Sequence, residues 1–428
     1  FGSRVGVLTL NVVAQSCLAW MLGPAGRGSY AICMMFAGIL GTLCQVGGDV
    51  AGKYMIASRR LDVSRGISAA LLYGGAGAGL AMGAGALIVQ FGGFSFLDKA
   101  SPAAFYLALL SIPAALSATV LTDLLTAVQE FRWYALFSAC GAAANVLWVV
   151  LLVYALSWGV EGGVLAAVLT GCTASAAALW FFRRRHGFSP AWPGWSALRE
   201  MFSYGARVAL GQLSNQVNFR IGSILLAFLA SAEDVGLFVA ATGLLSQVML
   251  LPDTLITVLW PRVADRRADK AAMVAQASRL TAVICGAVYL GLALAATPLV
   301  ALLFSPAFLK AVPVIRLTAG GFAVRCFCKV LSPYLDGRNH PEVNSLSTVI
   351  GMLTNLAVLW WLLPRLGLAG AALAMDAGFV AGSAVTVIGF LRVSGMRLGE
   401  YVRFTREDWR LVAEAVRRGA RRLRGGGA

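Results

Sequence analysis

The chain has 428 residues, 59% of them hydrophobic and only 13% charged, with a mean hydropathy of +0.78. A water-soluble domain carries about 25% charged residues, so this composition cannot clothe two or three soluble domains with polar surface. The balance of 35 Lys+Arg against 19 Asp+Glu, a net charge of +16, would suggest nucleic acid in a soluble protein; here the location of the charges matters more.

Apolar runs recur from end to end, each near the roughly 20 residues that a bilayer-crossing helix requires. In chain order they fall at about 3–22, 28–52, 66–91, 102–126, 133–156, 160–182, 201–229, 235–260, 277–304, 311–335, 342–363 and 368–391. The expected fold class is therefore an all-α polytopic membrane protein with twelve transmembrane helices. Short connections and one C-terminal tail account for the remainder, which leaves no room for a catalytic soluble domain. The chain opens at Phe1 inside the first apolar run, and its natural N-terminus is expected to lie further upstream.

The connections on one side, 53–65, 127–132, 183–199, 262–279 and 336–341, together with the tail after 391, hold 25 Lys/Arg. The opposite connections hold four: Arg27, Lys99, Lys310 and Arg365. The positive-inside rule then places both termini in the cytoplasm. Six cations remain inside the spans: Arg4, Arg207, Arg220, Arg316, Arg325 and Lys329.

The two halves repeat. Arg27-Gly28-Ser29-Tyr30-Ala31 before the second span matches Val235-Gly236-Leu237-Phe238-Val239 before the eighth, an offset of 208. Gly159-Val160-Glu161-Gly162-Gly163 matches Gly367-Leu368-Ala369-Gly370-Ala371 at the same offset, and Asn145 pairs with Asn355. Six spans per half give both halves one orientation, a parallel repeat about an axis along the membrane normal. The expected domains are an N-lobe at 1–183, a cytoplasmic linker at 184–199, a C-lobe at 200–392 and a basic tail at 393–428. Two such lobes around a central cavity are the plan of an alternating-access carrier.

The eight cysteines sit in apolar runs without a CxxC pair, and Cys326 and Cys328 would point to nearly opposite helix faces. They read as small packing residues. His186 and His340 fall in connections, so no metal site is expected, nor any cofactor. Gly75, Gly79 and Gly83 stand at i, i+4, i+8 on the third span, a small-residue stripe that would let a neighbouring helix approach closely. Pro252 and Pro261 bracket the end of the eighth span and are expected to kink it.

Charge at membrane depth costs about 2.5–3.5 kcal/mol per residue on insertion scales, so it normally faces protein or a hydrated cavity. Gln212, Gln216 and Arg220 share one face of the seventh span, with Asn215 beside them, and Arg207 enters at its cytoplasmic end. Arg4, Asn11 and Gln15 share one face of the first span, the equivalent helix of the other half. Matching stripes point to a shared hydrated lumen, with hydrogen-bonded helix packing as the bland alternative. Arg325 and Lys329 lie four apart on the tenth span. With Lys53 these cations outnumber the nearby carboxylates, Asp49, Asp123, Asp253 and Asp376, for which charge pairing and ion coupling both stay open. A cationic lumen favours an anionic substrate, because Arg binds phosphate oxygens bidentately. From about 398 the tail alternates Tyr401, Phe404, Trp409, Leu411 and Val412 with arginines, and reads as an amphipathic helix on the anionic cytoplasmic leaflet.

Leu22-Gly23-Pro24-Ala25-Gly26-Arg27-Gly28-Ser29-Tyr30 resembles the turn after the first helix of oligosaccharide flippases. These are the Wzx-like branch of the multidrug/oligosaccharidyl-lipid/polysaccharide exporter superfamily. Asn218-Phe219-Arg220-Ile221 through Gly236-Leu237-Phe238, Leu251-Pro252 to Trp260-Pro261-Arg262, and Val330-Leu331-Ser332 to Asp336-Gly337-Arg338 are similar to later segments of the same family. The resemblance implies a non-enzymatic carrier that moves an undecaprenyl-diphosphate-linked oligosaccharide from the cytoplasmic to the outer leaflet of the bacterial inner membrane. It would serve O-antigen, capsule or exopolysaccharide synthesis, beside polysaccharide assembly proteins and without nucleic acid. Arg220 falls where many relatives carry a charge; Arg4, Arg325 and Lys329 rest on the cavity argument. Two other readings stay open: a multidrug/cation antiporter on the same fold, and a membrane-embedded glycan polymerase or ligase. The second would need a large outer loop, and the longest outer connection is about 93–101.

Overall fold

The computed structural model describes residues 2–45, 47–57, 60–253, 255–256, 270–338, 340–404 and 408; within these, the side chains of 2–5, 49–50, 57 and 207–221 lie outside the description. All regular structure among the described residues is helical. The helices are α1 (Gly2–Gln45), α2 (Gly48–Ala57), α3 (Val63–Phe91), α4 (Pro102–Ala127), α5 (Phe131–Val149), α6 (Gly159–His186), α7 (Trp195–Leu229) and α8 (Ala232–Ser246). They continue with α9 (Ala271–Leu294), α10 (Ala296–Phe304), α11 (Val312–Lys329), α12 (Ser332–Gly337), α13 (Pro341–Leu366), α14 (Leu368–Ser394) and α15 (Leu398–Val402). Ten segments among the described residues are long and apolar enough to cross a membrane.

Helix α1 counts as one of those ten but crosses twice. Gly23, at φ 64° and ψ −179°, breaks it ahead of Pro24. The Arg27 guanidinium donates through Nη2 to Gln15 Oε1, 12 residues back, where a straight helix would separate them by about 18 Å. Leu18 and Tyr30 also both approach the site of a Gly163 Cβ, each at 3.2 Å. The chain therefore folds back on itself at the Leu-Gly-Pro turn. Counting α1 twice and adding the 35-residue α7 gives the twelve spans expected from the sequence.

Residues Phe1–Ala240 with Thr297–Val312 form one compact unit, and Ala241–Ala296 with Pro313–Ala428 a second. In the first, Met55, Ile67, Leu121, Leu124, Phe182 and Met201 build a core from α2, α3, α4, α6 and α7. In the second, Val274, Leu331, Tyr334, Phe390 and Tyr401 do the same. Large apolar side chains such as Leu80, Leu87, Phe91, Leu294 and Trp360 remain exposed, as lipid-facing residues should. Helix ends follow local chemistry. Ser101 caps α4 by accepting from Ala104 N–H at 3.1 Å ahead of Pro102, the arrangement that satisfies an orphan N-terminal donor. Helix α6 closes on Gly187 at φ 60°, after Arg183, Arg184, Arg185 and His186, so cations meet the negative end of its dipole.

Close helix contacts in a bilayer depend on small residues rather than on hydrophobic burial. The glycine stripe proposed from the sequence is not the one used. A Cβ on Gly75, Gly79 or Gly83 would meet nothing within 4 Å, whereas one on Gly77 would strike the Cys44 carbonyl at 2.5 Å and one on Gly85 the side chains of Leu109 and Leu40. Gly77, Ala81 and Gly85 form the packed i, i+4, i+8 stripe, one face over from the expected stripe. Helices α13 and α14 close on a similar seam: a Cβ on Gly378 would lie 2.7 Å from the Gly351 carbonyl, and Ser347 Oγ donates to the Gly382 carbonyl at 2.7 Å.

The repeat motifs also meet physically. A Cβ on Gly28 would collide with the Ala232 carbonyl and lie 2.9 Å from Gly236 N; one on Gly236 would collide with the Pro24 carbonyl and lie 2.9 Å from Gly28 N. The residues 208 apart in sequence thus pack backbone to backbone.

The loop after α3 is tied to the end of α7. Lys99 Nζ donates to the Ala227 carbonyl at 2.5 Å and to that of Ala230, satisfying terminal carbonyls of α7. Burial holds the Lys99 ammonium below its usual range, partly offset by Asp234. Ser95 Oγ adds a bond to the Phe228 carbonyl at 3.0 Å.

The start of the tail departs from the sequence expectation. The five residues Leu398–Val402 are helical, but Tyr401 is 5% exposed and packs against Phe390 and Tyr334 of its own bundle rather than facing lipid. Its hydroxyl lies 2.9 Å from Ser278 Oγ, and burial pushes it up to about 12, so it stays a neutral phenol. Asp408 is fully buried and accepts from Arg279 Nε at 3.0 Å and Gln276 Nε2 at 3.0 Å. Arg279 Nη1 also donates to the Tyr401 carbonyl at 3.0 Å. Trp409, Leu411 and Val412 lie outside the described residues.

Candidate functional site

Among the described residues, a Lys–Asp pair joins helices in each unit. In the first, Lys53 of α2 and Asp123 of α4 stand 2.6 Å apart. In the second, Lys329 at the end of α11 and Asp253, in the helical stretch continuing α8, also stand 2.6 Å apart. The second and fourth spans of each repeat are joined in this way with the polarity exchanged: lysine on the second span in one repeat, on the fourth in the other. All four side chains are partly exposed, so water screens the pairs and neither is a deep electrostatic anchor. Of the four candidate carboxylates, Asp123 and Asp253 are thus charge partners of two candidate cations. A single reversal, Lys329→Asp, should remove the pair, set a second carboxylate facing Asp253 and lower the unfolding midpoint of the purified protein. The double variant Lys329→Asp/Asp253→Lys should recover most of that loss, as a double-mutant cycle would read it.

Asp376 of α14 faces Gly321 of α11 so closely that a Cβ on Gly321 would collide with its carboxylate. Its Oδ1 is buried without a hydrogen-bond partner among the described residues. One turn along from Gly321, the Arg325 guanidinium stands 5.8 Å from the centre of the Phe379 ring, three residues beyond Asp376. The structure therefore gathers Arg325, Asp376 and the aromatic ring on the facing sides of α11 and α14, a grouping that spacing along single helices did not show. Asn355 of α13 is 5% exposed with an unpartnered Oδ1.

In the first unit, Gln15 accepts from Arg27, a cation that the sequence placed in an outer connection. Arg27 is 5% exposed, its guanidinium 5.2 Å from the Tyr30 ring centre. The Leu-Gly-Pro turn brings it down beside the first span, and the sequence signal was only the 12-residue separation across that turn. Asn11 is partly buried on the same span. The backbones of Arg4, Asp49, Arg207, Gln212, Asn215, Gln216 and Arg220 lie in α1, α2 and α7, but their side chains fall outside the described residues.

Twelve spans in two repeated sets of six, with paired and buried charges between the helices among the described residues, define a multi-pass helical membrane protein. The solved structures with this fold agree. The chain matches a multidrug resistance MATE family transporter of the MOP superfamily, inward-facing, at TM-score 0.69 and 16% identity over 92% of this chain and 98% of that one. It matches lipid II flippase MurJ in an inward closed conformation at TM-score 0.71 and 15% identity over 97% and 94%. It also matches the Vibrio cholerae MATE transporter VcmN in its bent form at TM-score 0.58 and 14% identity over 94% and 100%. These three structures are of transporters and a flippase. Residues 3–266 match the model of the polysaccharide biosynthesis protein family, and the chain belongs to that family. No curated protein matches it in sequence.

Proposed function

We propose that the protein flips an undecaprenyl-diphosphate-linked oligosaccharide from the cytoplasmic to the outer leaflet by alternating access, for polysaccharide biosynthesis. The observation that carries this reading is the polysaccharide biosynthesis family match on a carrier fold. The lobes are residues 1–183 and 200–392, joined by 184–199, with both termini on the cytoplasmic side of the bacterial inner membrane; the excess of Lys/Arg on the even-numbered connections supports that orientation. The cations Arg4, Lys53, Arg207, Arg220, Arg325 and Lys329 meet the diphosphate and any acidic sugars, and the polyprenyl chain stays in lipid. The Lys53–Asp123 and Lys329–Asp253 pairs support a refinement: a carboxylate holds each lysine until phosphate oxygens replace it. Bidentate guanidinium contacts would then favour diphosphate over a monoanion.

The test is reconstitution in liposomes with a labelled polyprenyl-diphosphate oligosaccharide and a glycan-modifying enzyme on the far side. Wild-type protein should expose the glycan. The Arg220→Ala and Arg325→Ala variants should be folded yet impaired, roughly tenfold for each charge-assisted contact worth about 1.5 kcal/mol. Immobile glycolipid together with exchange of a cationic dye for protons would transfer the protein to the antiporter reading.

A further inference from the structure

Helix α5 does not end as an α-helix. Its last turn, Val150–Ala155, is π-helical, a rare geometry that often accompanies functional sites. The chain then makes a strained turn: Ser157 at φ 55° and Gly159 at φ 57° are both left-handed, and only the glycine accommodates that without cost. Between them Trp158 stands out from the bundle, 51% exposed. The turn borders a cleft of about 650 Å³ that is lined by Ser29, Ser101, Ser157, Trp158 and Glu161. It lies wholly in the first unit, at the end of the bundle opposite the arginine-rich connections. Glu161 Oε1 accepts from Ser101 Oγ at 2.6 Å, which fixes the carboxylate at the mouth.

On the other side of the same π turn runs an apolar groove of about 580 Å³, lined by Val13, Cys17, Trp20, Tyr154 and Leu302 among others. Tyr154 in the groove and Ser157 in the cleft are linked by a bond from Ser157 Oγ to the Tyr154 carbonyl at 3.5 Å. One short segment therefore separates a hydroxyl- and carboxylate-lined recess from an apolar one.

We infer that the cleft is a sugar-binding subsite, with Trp158 stacking on the apolar face of one pyranose ring and Glu161 accepting its hydroxyl groups. An indole offers a broad flat apolar face with little conformational entropy to lose. A carboxylate accepts strongly from hydroxyls, and the serine hydroxyls both donate and accept. The carboxylate disfavours an anionic sugar, so the ligand is a neutral pyranoside. The adjoining groove suits the lipid end of the same molecule. The idea that the sugar arrives on a lipid rests on the flippase reading; the chemistry of the cleft does not. In the proposed orientation the subsite faces outward and receives the glycan after translocation.

The test uses the full chain in lipid nanodiscs and a panel of methyl pyranosides and short neutral oligosaccharides, read by saturation-transfer NMR. At least one member should bind. Its affinity should fall roughly three- to tenfold in Trp158→Ala, the range for one aromatic contact, and much less in Trp158→Tyr. Glu161→Gln should weaken binding of the same sugar. Trp158 is exposed, so its variants should keep the wild-type unfolding midpoint. Absence of binding across the panel, equal affinity in wild type and Trp158→Ala, or saturation by tetraethylammonium with no sugar bound would each overturn the subsite. Glycolipid flipping with no bound sugar would overturn the subsite alone. Trp158-dependent sugar binding without flipping would uphold the subsite and overturn the flippase reading.

Discussion

Replacing Gly28 or Gly236 with alanine is expected to remove most of the folded protein, as a collapse of the monodisperse size-exclusion peak and a fall in unfolding midpoint. At each position the added methyl would meet backbone, the Ala232 carbonyl for Gly28 and the Pro24 carbonyl for Gly236. Main-chain atoms in helices cannot swing aside as side chains do, so relief requires the two helix starts to separate. Overpacking of a well-packed contact costs about 1–3 kcal/mol, more when the backbone must shift. Each glycine stands against the other's amide nitrogen, so Gly28→Ala/Gly236→Ala should lose less than the sum of the singles once the helices have parted. Gly79→Ala is the control: nothing lies within 4 Å of that Cβ, and alanine has the higher helix propensity, so stability should be unchanged or slightly raised. Equal stability of Gly28→Ala and Gly79→Ala would refute the close approach.

Asp408→Ala is expected to destabilise the second unit strongly. Arg279 is 11% exposed and Asp408 fully buried in the pair. Removing one partner strands the other charge, at a cost of about 3–5 kcal/mol, whereas replacing both with apolar groups of similar volume is often neutral. The unfolding midpoint should therefore fall sharply for Asp408→Ala and recover for Arg279→Met/Asp408→Leu. Limited proteolysis adds an independent reading, since loss of the tie should expose the chain between Ser394 and Asp408 to cleavage. A single variant as stable as wild type would mean that the tail does not hold α9 in this way.

The same two cases show where sequence reasoning succeeds and stops. The repeat was legible because Gly28 and Gly236 sit in matching local motifs; that they touch was not, because an offset of 208 carries no distance. The tail read as amphipathic because arginines alternate with aromatic residues, and amphipathicity alone does not say whether the apolar face meets lipid or the protein's own bundle. Tyr401 found Ser278 and Phe390, and Asp408 found Arg279 more than a hundred residues away. Arg27 looked like a loop cation until the Gly23 turn lowered it onto Gln15.

Composition and hydropathy by themselves determined that this is a polytopic helical membrane protein, because a bilayer imposes length and apolarity on every span and leaves that demand written in local sequence. The internal repeat determined the pairing of spans, and the Leu-Gly-Pro turn and the later motifs pointed toward polysaccharide biosynthesis, the family to which the chain belongs. Tertiary structure alone decided which glycine stripe of α3 is packed. It also decided that Lys53 and Lys329 each face a carboxylate, and that Asp376 lies against Gly321 beside Arg325. The physical reason is the same throughout. In a membrane both faces of an apolar helix are acceptable to the solvent, so the sequence encodes membership of the bilayer strongly, and the choice of neighbouring helix only through contacts made at a distance along the chain.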